Sequence, residues 1–287
     1  MDRDTIANLV RDVLREMLAA EDAPAVPAGG PMPSPPDGML VRARHAPQTP
    51  PFDPAEFRRV KDATPARLAQ GRVGTRYLTD VSIHLRAEHA IALDAVQSQV
   101  PEGWAAQHGC LPLKTCCVDH ARFLLFPDEG RRLDDASRAL LEKEGSRNVD
   151  VQVICGDGLS AWALLEQGPV LLPALLEGLS AAGFTVGRPL FVRFCRIGVQ
   201  DEIGVTLGAK ATVILVGERP GLGTGDSLSI YTAFGPKLGQ DNAEKDCISN
   251  IRPLGMPPAE AVGECVTLLK RTFAAGGGGV ALTQSGT

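Results

Sequence analysis

The run KATVILVG, Lys210 to Gly217, is continuous in β-branched and apolar residues, as a strand buried on both faces should be. Two further runs share that character upstream: DVQVIC, Asp150 to Cys155, and PLFVRFCR, Pro189 to Arg196. Helical patterns stand between and after them: LSAWALLEQ and GPVLLPALLEGLSAAG follow the first run, and PAEAVGECVTLLKRTFAAG, from Pro258, closes the chain. Strands alternating with helices predict an α/β domain over residues 148–287, Rossmann-like in plan, with a mainly parallel sheet. The tail GGGGVALTQSGT is expected to fray.

Working outward, the stretch 52–147 reads as a small helical domain. PAEFRRVKDAT, TPARLAQGR, LTDVSIHLRAEHAIALDAVQSQV and LDDASRALLEKEG each carry helical periodicity with plausible caps. One run inside it, ARFLLF (Ala121 to Phe126), is more strand-like. Residues 21–51 are dense in proline and glycine and predict a flexible or polyproline-like tether. Before it, residues 1–20 place Ile6, Leu9, Val10, Val13, Leu14, Met17 and Leu18 on one helical stripe. Such a tethered amphipathic helix either docks on the protein's own body or a sister subunit, or serves as an address tag for another protein.

Composition narrows the function classes. The chain has 287 residues, 44% hydrophobic and 22% charged, which is the balance of a globular protein with a proper core. A net charge of −5 provides no basic field for nucleic acid. The seven cysteines are odd in number and form no C-x-x-C pair, which suits a reduced, cytoplasmic setting. The five histidines never join cysteines at zinc spacing, so no metal site is expected. No secretory leader and no bilayer-length apolar run is read, so no membrane role is expected.

In open α/β sheets, ligands collect beyond the carboxyl ends of the strands. Three loops fall there: Gly156-Asp157-Gly158-Leu159-Ser160, Arg196-Ile197-Gly198, and Gly217-Glu218-Arg219-Pro220-Gly221-Leu222-Gly223 after ATVILV. Their convergence suggests a crevice for something large; tight turns and close backbone approach explain the same glycines without a ligand. The third loop lacks G-x-G-x-x-G spacing and the chain has no G-x-x-x-x-G-K-[ST], which argues against a lone nucleotide-dependent enzyme. Asp157, Glu218 and Asp226 have no histidine or serine at a recognisable catalytic spacing, and Cys247 has no partnered histidine. The residues describe a binding scaffold better than a self-sufficient enzyme.

At these same loops the chain resembles the ethanolamine ammonia-lyase light-chain family. The resemblance rests on DVQVICGDGLSAWAL, on the block from PLFVRFCRIG through GERPGLGTGDSLSIYTAF, and on EKDCISNIRPLGMPPAEAV. TPARLAQGRVG, HAIALDAVQSQVPEGW and FPDEGRRL resemble the family more loosely. The resemblance implies the small subunit of an adenosylcobalamin-dependent enzyme that converts ethanolamine to acetaldehyde and ammonia. It implies that catalytic residues sit in a large-subunit partner and that the cofactor lies between the two chains. It carries family cobalamin contacts to Ile197, where the family often has valine, and to Glu218 and Cys247. It further implies a cofactor that keeps its own benzimidazole on cobalt, and the chain has no D-x-H-x-x-G to replace it. Residues 1–20 resemble encapsulation segments on microcompartment cargo, which would add shell proteins as partners. The alternative is a microcompartment-associated scaffold that keeps the fold without activity.

Overall fold

The computed structural model describes residues 54–284 apart from residues 65 and 69; the expected terminal helix (1–20) and tether (21–51) lie outside it. The three apolar runs form β4 (Val151–Gly156), β5 (Leu190–Arg193) and β6 (Ala211–Gly217), and every residue of β4 and β6 is buried. Strand β3 (Leu111–Lys114) lies at one edge of the sheet, and β7 (Leu228–Phe234) and β8 (Lys245–Ile251) follow β6. Among the described residues these six form one sheet in the order β3-β5-β4-β6-β7-β8. The pairs β3·β5, β4·β5 and β4·β6 are parallel, while β6·β7 and β7·β8 are antiparallel. The protein is therefore α/β as expected, but its sheet is mixed. The reason lies in the connections. A parallel pair needs a helical crossover of about a dozen residues or more, whereas the loop 218–227 contains no helix and returns the chain antiparallel.

Helices cover both faces. On one side α6 (Ala161–Ala181) and α8 (Pro258–Ala275) pack Leu164, Leu171, Leu175, Cys265 and Leu269 against Val151, Val153, Cys155, Val213 and Leu215. On the other, α5 (Asp135–Glu144) and α7 (Val199–Leu207) pack Leu141, Ile203 and Leu207 against Ile154, Val192, Ile214 and Val216. The alternation of odd and even positions along β4 and β6 sends each strand into both cores. What read as two helical runs is the single helix α6, with Pro169 and Pro173 inside it. An internal proline costs about 3 kcal/mol, and each fully buried leucine contributes about 1.5–3 kcal/mol. Leu164, Leu171, Leu172, Leu175 and Leu179 thus outweigh both prolines.

Other expectations need correction. The stretch 52–147 contains α1 (Pro54–Asp62), a two-residue hairpin of β1 (Arg72–Val73) and β2 (Arg76–Tyr77), α2 (Thr79–Gln97) and α3 (Trp104–Gln107), but it also supplies β3 to the sheet. Only Leu111 and Leu113 of β3 point inward, and Pro112 sits where an edge strand tolerates proline. ARFLLF is not a strand: all but its last residue lies in α4 (His120–Leu125), with Phe126 as the C-cap, and the helix start is fixed by Asp119 accepting a 2.8 Å bond from the Arg122 N–H. TPARLAQGR forms no helix among the described residues. The tail expected to fray includes α9 (Val280–Gln284), anchored by buried Leu282. No described helix is long and apolar enough to cross a membrane.

Candidate functional site

The parallel strands β4, β5 and β6 end at one sheet edge, and the loops that leave them converge on a cleft of about 1240 Å³. Ile197, Glu218 and Cys247 all line it, although they come from three separate stretches of sequence. Sequence reasoning missed the floor. Ser229 and Tyr231 of β7, with Cys247 and Ser249 of β8, face the cleft. Ile230 and Ile248, one position away, pack on the α8 side instead. That two-residue alternation in LSIYTAF and DCISN was the available signal.

Asp157 holds two of the loops together. Its carboxylate accepts from the N–H groups of Phe194 (2.7 Å), Cys195 (2.9 Å) and Gly158 (3.0 Å), tying the end of β4 to the turn after β5. Phe194 sits at φ 57°, a left-handed conformation that a bulky residue rarely adopts. Burial pushes the Asp157 carboxyl up to about 6, against the pull of the same backbone N–H groups. Asp157 is not among the cleft residues; it positions Arg196 and Ile197, which are.

The first and third loops touch directly. The Leu159 N–H donates to the Gly217 carbonyl at 3.1 Å. A Cβ at Gly158 would collide with that carbonyl, and one at Gly217 would collide with the Ser160 carbonyl. These two glycines permit backbone-to-backbone approach, as the ligand-free reading of them held. Farther along, Arg67 bonds to Glu88 and to the Leu222 carbonyl, so α2 anchors the tip of the glycine-rich loop.

Glu218 is held by protein donors. Its Oε1 accepts from the Ser229 hydroxyl (2.5 Å) and the Asn250 N–H (2.8 Å), and its Oε2 from the Ser227 hydroxyl (2.8 Å). A carboxylate offers about four acceptor positions, so one on Oε2 stays open. Next to it, Tyr231 and Cys247 are register partners across β7 and β8. Burial pushes the Tyr231 hydroxyl up to about 12. Burial also raises the Cys247 thiol, with the Glu218 charge adding to the effect and Tyr231 and Ser229 opposing it. Both groups are protonated at neutral pH and present donors, not nucleophiles, to the cleft. No histidine lines it, and no group of three His, Cys, Asp or Glu among the described residues could hold a metal ion.

The far wall is built on charge. Asp201, in the first turn of α7, pairs with Lys245 at 3.0 Å, and both side chains are almost fully buried. Burial raises the Asp201 carboxyl, and the Lys245 ammonium opposes that rise. Glu202 accepts from the Leu133 N–H and from Arg138, each at 2.8 Å, and so fixes α7 to the segment before α5 and to α5 itself.

The three loops thus wall a cleft at the carboxyl edge of the sheet, and β7 and β8 floor it. A family model described as ethanolamine ammonia-lyase light chain (EutC) matches residues 54–283, a span that includes every strand of the sheet and every residue that lines the cleft. The chain belongs to the ethanolamine ammonia-lyase light-chain family.

Proposed function

We propose that this chain is the small subunit of an adenosylcobalamin-dependent ethanolamine ammonia-lyase, and that its cleft forms part of the cofactor site at the interface with a large catalytic subunit. The observation that carries this reading is the gathering of Ile197, Glu218 and Cys247 on one cleft. The cleft exceeds the roughly 300–1,000 Å³ of pockets for drug-sized ligands, in keeping with a corrinoid. Its walls also suit one. Ile197 and Leu159 offer apolar surface, while Tyr231, Cys247 and the Ser249 hydroxyl offer donors to an amide-rimmed ring.

When bound, adenosylcobalamin supplies a radical by homolysis of its cobalt–carbon bond, and the radical chemistry belongs to the large chain. The work of this chain is to hold and orient. Glu218 fixes Ser227, Ser229 and the Asn250 backbone while keeping one acceptor position on Oε2 for an amide or hydroxyl donor. Exposed Leu238, on the cleft wall, and Leu222, on the glycine-rich loop, give apolar surface for a covering subunit. A microcompartment location and contact with shell proteins rest on residues 1–20 alone and remain part of the proposal.

The reading is tested by mixing the full chain with the large subunit from the same source and assaying ethanolamine deamination. Activity that needs both chains and adenosylcobalamin is expected. A stable complex without activity, given an intact large chain, would favour the scaffold reading. Within an active complex, Glu218→Ala should weaken cofactor binding by about 1–3 kcal/mol, or about 5- to 150-fold in Kd. The Kd is read by titrating the visible spectrum, and an unchanged value would remove Glu218 from the site.

A further inference from the structure

The formal charges that line the cleft cancel, but their pairing does not. Each lining carboxylate is engaged by a protein donor: Asp128 by Arg131, Asp201 by Lys245, Glu202 by Arg138 and the Leu133 N–H, Glu218 by the two serines and Asn250, and Asp241 by the Ala243 N–H. Among the described residues, the lining residues Arg132, Arg196 and Arg219 have no carboxylate partner. Arg196 is half-buried. One end of its guanidinium donates to the Phe123 carbonyl at 2.8 Å, and its plane lies over the Phe123 ring at 4.2 Å. Its Nε–H is buried with no acceptor.

The fold also brings like charges together here. The Arg196 N–H donates to the Gly130 carbonyl at 2.8 Å, so Arg196 is fastened to the turn that carries Arg131 and Arg132. The Arg131 stem packs beside Gly198, the N-cap of α7. Burial and the Arg131 charge both push the Arg196 guanidinium down from its ordinary value. The Asp157 carboxylate acts on Arg196 through space, yet both its oxygens already accept backbone N–H groups. Guanidinium groups held close enough to repel, on a wall whose carboxylates are already engaged, make a costly arrangement that an anion in the cleft relieves. The planar fork of arginine suits the two oxygens of a phosphate group.

We infer that Arg196, Arg131 and Arg132 form an anion subsite in the cleft wall, shaped for a phosphodiester. Resting on the cofactor reading above, its occupant is the phosphodiester in the nucleotide loop of adenosylcobalamin.

The test uses the full chain assembled with its large subunit and follows corrinoid binding by the visible spectrum, not turnover. Adenosylcobalamin is compared with adenosylcobinamide, which lacks the nucleotide loop and its phosphate. Arg196→Gln and, separately, the exposed Arg132→Gln should each raise the adenosylcobalamin Kd about tenfold, the effect of losing one charged hydrogen bond. Binding of adenosylcobinamide should stay within about twofold. The Arg132 variant tests the subsite even if Arg196→Gln disturbs the Phe123 packing. Equal weakening of both corrinoids, or of neither, would overturn the inference. If the wild-type complex binds neither corrinoid, the cofactor reading itself falls. In that case, a melting temperature raised by inorganic phosphate in the wild-type chain and not in Arg132→Gln would sustain a free-phosphate site. Absence of that rise would overturn the subsite as well.

Discussion

Replacing Asp157 with alanine should lower the free energy of unfolding by about 4 kcal/mol and weaken any ligand that rests on Arg196 and Ile197. The substitution strands the N–H groups of Gly158, Phe194 and Cys195 at once. Each orphaned buried donor costs about 1–3 kcal/mol. Removing a buried charge offsets part of that sum, so the total falls short of three full penalties. Phe194 loses the bond that holds it at φ 57°, and the turn toward Arg196 and Ile197 is then free to relax. Asp157→Asn keeps the volume but aims an amide N–H at backbone donors, and it separates charge from shape. The Asp157 carboxyl titrates near 6 in the folded chain, above its ordinary value of 3.8, so the folded chain takes up this proton before the unfolded chain does. On this group's account, stability is greatest below pH 3.8 and falls as pH rises to about 6, by about 3 kcal/mol in all. Denaturant melts of the wild type and Asp157→Asn between pH 4 and 7 read this directly. The advantage of the wild type should shrink by that amount as pH rises. A constant difference would mean that Asp157 titrates at an ordinary value and that its three N–H partners fully offset burial.

How much of this could be read from the sequence depended on what each segment faces. Strands β4, β5 and β6 are buried on both sides, so their apolar runs are unbroken and announce themselves. Because they are parallel, the loops after them share an edge. That edge is where the cleft lies, with Ile197 and Glu218 on its walls. The strands β7 and β8 stayed hidden because one face of each lines the cleft. Ser229 and Tyr231, then Cys247 and Ser249, interrupt the apolar pattern on that side. As cobalamin contacts, Ile197, Glu218 and Cys247 alike rest on the family resemblance. ARFLLF misled because a short apolar run is ambiguous between helix and strand, and the deciding Asp119 cap lies outside it. The hydrogen-bond partners of Glu218 come from β7, from the loop before it and from Asn250 at the end of β8, and no spacing rule links them. The unanswered Nε of Arg196 is likewise a product of packing, since the sequence shows an arginine but not which carboxylates are already engaged.

Lys245→Met should destabilise the chain by about 3–5 kcal/mol, the cost of leaving one member of a buried ion pair without the other. Lys245 and Asp201 expose 3% and 5% of their side chains, so solvent cannot replace the lost partner. Lys245 also donates to the Gln240 carbonyl at 3.0 Å, which would lose its donor too. Asp201 is poorly placed to compensate, because its Oδ1 already has no hydrogen-bond partner. Its position in the first turn of α7 contributes only about 0.3–1 kcal/mol of dipole stabilisation. Without the ammonium, the Asp201 carboxyl rises further above its ordinary value and the folded variant takes up a proton more readily than the unfolded one. The gap between wild type and Lys245→Met should therefore widen as pH rises and narrow as pH falls. The double variant Asp201→Leu with Lys245→Met removes both charges and should recover most of the loss, since a well-packed apolar pair often equals a buried ion pair. A double-mutant cycle by denaturant melts measures the coupling. If the single variant fell within about 1 kcal/mol of wild type, water would have to reach Asp201 through the cleft. The wall that joins α7 to β8 would then be an open, hydrated surface, not the sealed side of the site.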